Sequence, residues 1–346
     1  MWNEILTSGV FDAPLAPSYR YQGDITIVIP VFNDKDGLYK TLFSLNVFNK
    51  YNIIIVDDCS TQDNYDDVVQ FFSSYFNITL VQTPKNGGPA VAKNYGASLV
   101  NTKYVMFMDA GDTFVSAKVI VDLEKVLSNE PRAVILSAAF YEELSTSDLS
   151  YVGPSHNTWR GKVYRVDFYK RYNLHFLEES SFSNDDIGMN MLARLLVQEY
   201  QIIHFDSPVM IWHYSENSIT RRENHRYLYR ENNSGIAAAA NYALSEGEKY
   251  RVDNRKLDEL RCSALCQLYF NYLGTLNVAP EYEEECLAGA KMFYDVSVKG
   301  RDIIPPMLTD LYNITLKEKL SSKQVEPCLV KIQKCNFADF LDKLEG

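Results

Sequence analysis

The sequence predicts an α/β protein with a Rossmann-like, mostly parallel central sheet flanked by helices, followed by an α-helical C-terminal region. Short apolar runs alternate with helical segments of about ten residues, which is the pattern of βαβ units. Each early apolar run ends in a cluster of acidic and turn-forming residues. Beyond about residue 220 the spacing of apolar residues becomes helical throughout.

The elements of the first part follow directly from this alternation. Strands are predicted at 24–32, 52–56, 78–82 and 104–108, and helices at 37–46, 66–75 and 90–100. The connections between parallel strands are expected to be right-handed. The fourth run, Tyr104–Met108, is apolar throughout, as in a strand that is buried on both faces.

The middle of the chain is less regular. It predicts a helix at 119–127, a strand at 133–141, a polar loop at 145–159, a strand or short helix at 162–172, a helix at 186–198 and a strand at 201–214. We therefore predict an arm at 1–23, a catalytic domain at 24–220 and a helical region at 221–346. That last region would bind an acceptor or form a homo-oligomer, and its apolar stripe at 257–268 is more typical of core or subunit contact than of a cofactor site.

Composition narrows the class of protein. The 346 residues are 46% apolar, and the net charge of -11 argues against non-specific nucleic-acid binding, which needs many cations. Six cysteines without paired CxxC spacing indicate reduced thiols. Neither a signal-peptide pattern nor an apolar run of membrane-spanning length is present. The expectation is a cytoplasmic protein, with peripheral attachment at a membrane surface as an option.

The run at 104–108 leads into two carboxylates, Asp109 and Asp112. Gly111 between them permits a tight turn. Carboxylates this close repel each other, so they are best tolerated beside a divalent cation, a sugar hydroxyl or a basic side chain.

Four polar clusters follow apolar runs in this way. They are Pro30–Asn33, Asp57–Ser60, Asn86–Gly96 and Asp109–Asp112. One such cluster alone is more often a turn. Because parallel strands bring their carboxyl ends to one edge of a sheet, at least three clusters are expected to converge there as a ligand site.

These clusters resemble the successive motifs of family 2 glycosyltransferases, which have the GT-A fold. The resemblance rests on Ile-Pro-Val-Phe-Asn (29–33), Val-Asp-Asp-Cys-Ser-Thr (56–61), the 86–96 segment, Met-Asp-Ala-Gly-Asp (108–112), Gly-Lys-Val-Tyr (161–164), Asn-Asp-Asp (184–186) and the segment 213–220. It covers about residues 24–220. It implies an inverting transfer of a sugar from a nucleotide-diphosphate donor, with a UDP-sugar favoured, to an acceptor hydroxyl.

The resemblance also implies donor-binding residues. The nucleotide-sugar set is Pro30, Val31, Phe32, Asn33, Asp57, Asp58, Asn86, Gly87, Lys93, Asp109 and Ala110. Arg221 and Arg222 follow the resembling segment and, as a basic cluster in an acidic chain, could close over the diphosphate. One carboxylate of the pair Asp57 and Asp58 is expected to cap the following turn instead. Lys93 replaces the family's usual arginine, and its alternative interpretation is a solvated helix lysine. The arginines could equally face an anionic acceptor or form surface ion pairs.

The implied metal is Mn²⁺ or Mg²⁺, with Asp109, Asp112 and His213 as ligands. Gly111 departs from the family pattern, because that position commonly carries a metal-binding acid. His213 could instead contact the diphosphate or be structural.

For the acceptor side, the resemblance implies Asp186 as general base and Asp185 as a second catalytic residue that caps a helix or contacts the acceptor. An aspartate before a helix is also a common cap. Trp159 could stack on the acceptor sugar or pack in the core. Acceptors of this fold include polysaccharides, lipid-linked glycans, teichoic-acid-like polymers, proteins and hydroxylated nucleic-acid bases.

Two other functions remain open at this stage. One is a non-catalytic carbohydrate- or nucleotide-binding protein, which Lys93 and Gly111 keep possible. The other is a nucleotidyltransferase. That class usually has a glycine-rich basic loop after the first strand, where this chain has Phe32-Asn33-Asp34.

Overall fold

The computed structural model describes residues 22–45, 50–144, 147–154, 158–178, 185–215, 227–301, 312–313 and 335–346. In these residues the strands are β1 Gln22–Val31, β2 Lys50–Asp57, β3 Asn77–Gln82, β4 Tyr104–Phe107, β5 Thr113–Phe114, β6 Ile135–Ala138, β7 Phe140–Glu143, β8 Leu149–Val152, β9 Lys162–Arg165, β10 Ile202–Phe205 and β11 Met210–Trp212. The helices are α1 Lys35–Phe43, α2 Asp66–Phe72, α3 Gly88–Ser98, α4 Val119–Asn129, α5 Val166–Arg171, α6 Ile187–Leu196, α7 Tyr227–Lys249, α8 Asn254–Val278, α9 Glu283–Ser297 and α10 Phe337–Glu345. The predicted fold class is confirmed.

Seven strands form the larger sheet, in the order β10-β6-β9-β4-β1-β2-β3. Strands β1 to β4 pair in parallel, and β9 runs antiparallel between β4 and β6. Consecutive residues such as Ile27 and Val28 of β1 are both fully buried, so both faces of the sheet are covered. This burial explains why the strands appear in the sequence as continuous apolar runs.

Helix α3 lies unusually close to the sheet at Gly96. A Cβ atom at this glycine would lie 2.4 Å from Val28 Cγ1 and 2.9 Å from Val56 Cγ2. The missing side chain therefore lets α3 rest directly on β1 and β2. This packing fixes the start of α3 relative to the carboxyl ends of those strands.

A second, four-stranded sheet has the order β5-β11-β7-β8. It was not predicted. The predicted strand at 133–141 is broken into β6 and β7, and the one at 201–214 into β10 and β11, while β8 lies in the predicted loop at 145–159. Pro208 lies between β10 and β11 and has no N–H to continue a ladder. Strands of two to four residues carry too little periodicity to be recognised in a sequence.

The chain divides into two compact units. One contains residues 1–178 and 197–214, and the other contains 179–196 and 215–346. The segment 179–196 thus groups with the C-terminal helices, although the sequence analysis placed it in the catalytic domain. None of the described helices is long and apolar enough to cross a bilayer.

The second unit is helical and has its own core. Leu257, Ala264 and Leu268 of α8 are buried, which confirms the stripe as core. Asn233 of α7 donates to the carbonyls of Leu268 and Cys286 and so links α7 to α8 and α9.

Candidate active site

The carboxyl ends of β1, β2 and β4 meet at one edge of the larger sheet. Asp58 N donates to Val31 O at 2.9 Å, and Met108 N donates to Val28 O at 3.0 Å. These bonds extend the ladders just past the strands, so three of the predicted clusters come together. The fourth, at the start of α3, joins them through side chains.

The first cluster shapes the end of β1. Pro30 and Val31 pair with β2. Asn33 adopts φ 48°, and its Oδ1 accepts from the backbone N–H groups of Thr61 and Gln62, each at 2.9 Å. Phe32 is exposed at this edge. Asn33 therefore ties the first cluster to the turn after β2.

The two carboxylates after β2 have different neighbours. Asp58 accepts from Gly88 N at 2.7 Å, from Gly87 N at 3.0 Å and from Thr83 Oγ1 at 2.8 Å. It therefore caps the N-terminus of α3, where a negative charge is favoured. The neighbouring Asn86 is exposed. The cap on the turn that follows the pair, which was expected of one member, is made by Asp57, whose Oδ1 accepts from Ser60 N.

Asp57 has a lighter set of contacts. Its carboxylate accepts from Ser60 N and from Gln82 Nε2, each at 2.8 Å. One bond to each oxygen leaves further acceptor capacity on the Asp57 carboxylate.

Lys93 is not a solvated helix lysine. It is 3% exposed, and its Nζ lies 2.9 Å from Asp109 Oδ1. The same ammonium lies 4.2 Å from the ring centre of Trp159 and 5.4 Å from that of Phe176. An aromatic cage thus holds the charge of Lys93 against Asp109.

Asn94, the next residue of α3, holds one wall of this cage. Its Nδ2 donates to Phe176 O at 2.9 Å and to Glu178 Oε1 at 3.0 Å, and its Oδ1 accepts from Phe176 N at 2.8 Å. A carboxamide that bonds both backbone groups of Phe176 fixes the position of that ring beside Lys93.

Arg160 is a site residue that the sequence analysis missed. Its Nη2 lies 3.5 Å from Asp109 Oδ2, and its guanidinium stacks 3.9 Å from the ring centre of Trp212 and 4.9 Å from that of Trp159. Burial alone would raise the pKa of Asp109, but the charges of Lys93 and Arg160 outweigh it and hold the pKa below its ordinary value. The available signal was its place directly before the Gly161-Lys-Val-Tyr motif.

Asp112 has one carboxylate oxygen in use and one without a partner. Its Oδ1 accepts from His213 N at 3.0 Å. Its Oδ2 is buried and has no hydrogen-bond partner among the described residues. Burial first, and then the charge of Asp109, raise the pKa of Asp112 to about 7.

The backbone explains the glycine between the two acids. Gly111 adopts φ +94°, a conformation that glycine reaches without strain. Its N–H is held by Gly37 O and by Thr41 Oγ1, both at 3.0 Å. The hydroxyl of Thr41 in turn donates to Asp112 O at 2.7 Å. Helix α1 thus braces the loop that carries Asp109, Ala110 and Asp112.

The ring of His213 is engaged on both sides. Nδ1 lies 2.7 Å from Glu143 Oε2, and Nε2 lies 2.8 Å from Thr113 Oγ1. The bond from His213, with a second from Tyr214 N, lowers the pKa of Glu143. The predicted role of His213 as a metal ligand therefore gains no support from this geometry, and Glu143 is a further residue that the sequence analysis missed.

The acceptor-side predictions have mixed outcomes. Trp159 is 2% exposed and packs against Phe107 and Phe176, so its ring supports Lys93 and Arg160 and offers no open face to a sugar. Asp185 and Asp186 lie buried in the second unit just before α6, whose first turn begins with Asn190 N donating to Asp186 O. Arg221 and Arg222 lie outside the described residues.

Residues 26–183 match the family model described as Glycosyl transferase family 2. These residues form a glycosyl transferase family 2 domain. The poly(ribitol-phosphate) beta-glucosyltransferase of Bacillus spizizenii is 36% identical over 93 residues, which cover 25% of this chain and 15% of that enzyme. The chain therefore matches only about a seventh of that relative's length.

Two solved structures show that the chain has the GT-A fold. TarS of S. aureus in complex with UDP superposes with a TM-score of 0.63 at 15% identity, over 93% of this chain and 90% of that one. A mannosyltransferase of Pyrobaculum calidifontis in complex with GDP-Man and Mn²⁺ gives a TM-score of 0.51 at 14% identity, over 96% and 88%.

Proposed function

We propose that this protein is an inverting glycosyltransferase that moves a sugar from a nucleotide-diphosphate donor, with UDP-sugar favoured, to an acceptor hydroxyl. The observation that carries the proposal is the convergence of Asn33, Asp57, Lys93 and Asp109 at one sheet edge in a family 2 domain. Open α/β sheets bind ligands at this edge.

The nucleoside would lie at the ends of β1 and β2. Uracil N3 and the ribose hydroxyls are donors, and Asp57 is an acceptor with capacity left after its bonds to Ser60 and Gln82. Phe32 offers an exposed ring at the same edge. UDP is favoured because the structural relative TarS was solved with UDP.

The residues fit a divalent cation at Asp112. Its buried Oδ2 lacks a partner among the described residues. The raised pKa of Asp112 means that its ionised form is unfavourable, and a bound cation would stabilise that form. The described residues contain no group of three or more His, Cys, Asp or Glu side chains that could hold a metal. Mg²⁺-type sites commonly use one or two carboxylates and take their other ligands from substrate phosphates and water. When bound, Mn²⁺ or Mg²⁺ would supply charge neutralisation for the departing diphosphate.

Asp186 would act as general base, and Asp185 would contact the acceptor. The acceptor hydroxyl attacks the anomeric carbon, its proton passes to the Asp186 carboxylate, and the bond from that carbon to the diphosphate oxygen breaks. Attack opposite the leaving group inverts the anomeric centre. The support is the place of Asp186 in the motif series, directly before α6.

The proposed acceptor is a polyol-phosphate polymer of the teichoic-acid type. The support is the 36% identity over 93 residues to an enzyme named for poly(ribitol phosphate). Arg221 and Arg222 are cations in a chain of net charge -11, and they suit either the phosphates of such a polymer or the donor diphosphate.

The test measures release of nucleoside diphosphate from a panel of UDP- and GDP-sugars, with poly(ribitol phosphate) as acceptor, in Mn²⁺, Mg²⁺ or EDTA. We expect turnover with a UDP-sugar that requires acceptor and falls in EDTA. NMR of the product should show the opposite anomeric configuration to the donor.

Asp186→Asn tests the base, with Asp122→Asn on the exposed face of α4 as the matched control. Loss of a general base should lower kcat by about 10²- to 10⁴-fold, and the control should leave it unchanged. A protein that neither turns over nor binds any nucleotide would instead support the non-catalytic alternative.

A further inference from the structure

The guanidinium of Arg160 has more hydrogen-bonding capacity than the described residues use. Its side chain makes two hydrogen bonds to described residues, to Thr158 Oγ1 at 3.4 Å and to Asp109 Oδ2 at 3.5 Å. Both are at the long limit for such a bond. Its Nε is buried without a partner in the described part of the chain. Arginine has five N–H donors, so one N–H on each terminal nitrogen remains for a ligand besides the buried Nε.

Arg160 is a second cation beside Asp109. Lys93 pairs with this carboxylate at 2.9 Å from inside the aromatic cage, and Arg160 approaches it at 3.5 Å. The carboxyl end of β4 therefore holds two cations next to the carboxylates of Asp109 and Asp112. Because the contact of Arg160 is long, its guanidinium can pair with a further anion.

Two tryptophan rings pack against this cation. The guanidinium carbon lies 3.9 Å from the ring centre of Trp212 and 4.9 Å from that of Trp159. A guanidinium held over aromatic rings keeps N–H groups for hydrogen bonds. The side chain of Arg160 is 17% exposed, so part of it can be reached by a ligand. A guanidinium held in this way suits a phosphate group.

We propose that Arg160 binds the diphosphate of the donor and stabilises it as it departs. This inference rests on the proposed function, because it names the residue that holds the leaving group of that reaction. The other phosphate source is a phosphodiester of the acceptor. The donor is favoured because Arg160 touches Asp109, which stands with Asp57 and Lys93 at the nucleotide edge.

The buried Lys93 then has a different role from the one its motif position implies. It is a positioning residue that keeps Asp109 ionised, and Arg160 is the cation that contacts phosphate. This division agrees with the burial of the two side chains, 3% exposed for Lys93 and 17% for Arg160.

Calorimetric titration of wild type and Arg160→Gln with UDP, UMP, uridine and inorganic pyrophosphate tests the proposal. We expect Arg160→Gln to weaken UDP and pyrophosphate binding about 10- to 100-fold, as for loss of charge-assisted hydrogen bonds. Uridine affinity should stay within about twofold, since a nucleoside has no phosphate to lose. Arg160→Lys should recover part of the UDP affinity, because it keeps the charge without the fork.

Arg132→Gln is the matched control. Arg132 also stacks on an aromatic ring, 5.1 Å from the centre of Tyr200, but it precedes β6 at the opposite end of the sheet's strands. Its loss should leave all four affinities unchanged.

Four outcomes would overturn the inference. Equal losses of uridine and UDP affinity in Arg160→Gln would show a structural effect of unstacking. Unchanged UDP affinity, with loss of affinity for poly(ribitol phosphate), would assign Arg160 to the acceptor. If UDP binds the wild type and Arg160→Gln equally, the inference fails and the proposed function stands. If no nucleoside diphosphate binds the wild type, both fail.

Discussion

At the scale of single residues, Asp112 is the most unusual group of the site. It is 4% exposed, one of its oxygens has no partner among the described residues, and its pKa is raised to about 7. A buried carboxylate of this kind is costly in its ionised form. Proteins keep such groups where a ligand or cation relieves the cost.

The pH dependence of stability should report this cost. The pKa of Asp112 is raised from its ordinary value of 3.8 to about 7 in the folded protein. Between these values the folded state keeps a proton that the unfolded state has lost, so stability falls as pH rises. In EDTA, wild type should lose on the order of 2–3 kcal/mol of unfolding free energy relative to Asp112→Asn between pH 5 and pH 8.

Urea unfolding of both proteins at pH 5, 6, 7 and 8 measures this difference. The Asn variant has no titrating group at this position and therefore serves as the baseline for all other groups. Parallel pH profiles for the two proteins would contradict the prediction.

The sequence predicted only some of the residues that form the site. Asp57, Asp58, Lys93, Asp109 and Asp112 were found because each follows an apolar run at a motif spacing. The burial of Lys93 was not predictable, because a solvated helix lysine and a lysine enclosed by aromatic rings have the same sequence pattern. Arg160 reaches Asp109 from 51 residues away. A contact of that kind depends on the register of β9 against β4, which local patterns do not encode.

At the scale of elements, α1 acts as a brace for the acidic loop after β4. The buried Thr41 hydroxyl accepts from Gly111 N and donates to Asp112 O. Both bonded groups belong to the loop backbone, and the loop conformation decides where the two carboxylates point. A side chain on one helix therefore helps to set the geometry of the donor site.

Thr41→Val should separate this role from simple packing, because valine keeps the shape and loses the hydroxyl. Leaving the carbonyl of Asp112 unpaired should cost about 1–3 kcal/mol of stability. UDP affinity should fall as well. Thr275→Val is the matched control, since Thr275 is also a buried helix threonine, bonded to Asn271 O and Cys286 Sγ.

Thermal unfolding and UDP titration of both variants decide the outcome. The control should lose stability and keep the UDP affinity of wild type. If Thr41→Val binds UDP as tightly as the control does, the brace has no role in donor binding.

The elements of the larger sheet were predictable because their strands are long or continuously apolar and alternate with helices. Strands β1 to β4 and helices α1 to α3 lie within a few residues of their predicted positions. The smaller sheet was not predictable, since its strands have two to four residues. The pair of β5 with β11 joins segments about 100 residues apart and that of β11 with β7 about 70, so tertiary contacts decide both.

At the scale of the whole molecule, the described cysteines fall on opposite sides of the division into two units. Cys59 is partly exposed at the end of β2, whereas Cys262, Cys266, Cys286 and Cys335 are buried in the helical unit. Burial raises the pKa of Cys266 to about 12 and that of Cys286 to about 11. At pH 8 only about one in 10⁴ and one in 10³ of these thiols would be the reactive thiolate. The thiols thus act as separate reporters of the two units.

Alkylation with iodoacetamide at pH 8, followed by peptide mass spectrometry, should therefore modify Cys59 first. The four described thiols of the helical unit should react only as fast as that unit opens. UDP should slow modification of Cys59, which adjoins Asp57 and Asp58, and should leave the other four rates unchanged. Cys59→Ser should remove the UDP-sensitive reaction. If Cys266 and Cys286 were labelled as fast as Cys59 in folded protein, the two thiols would not be buried in solution, and the prediction would be contradicted.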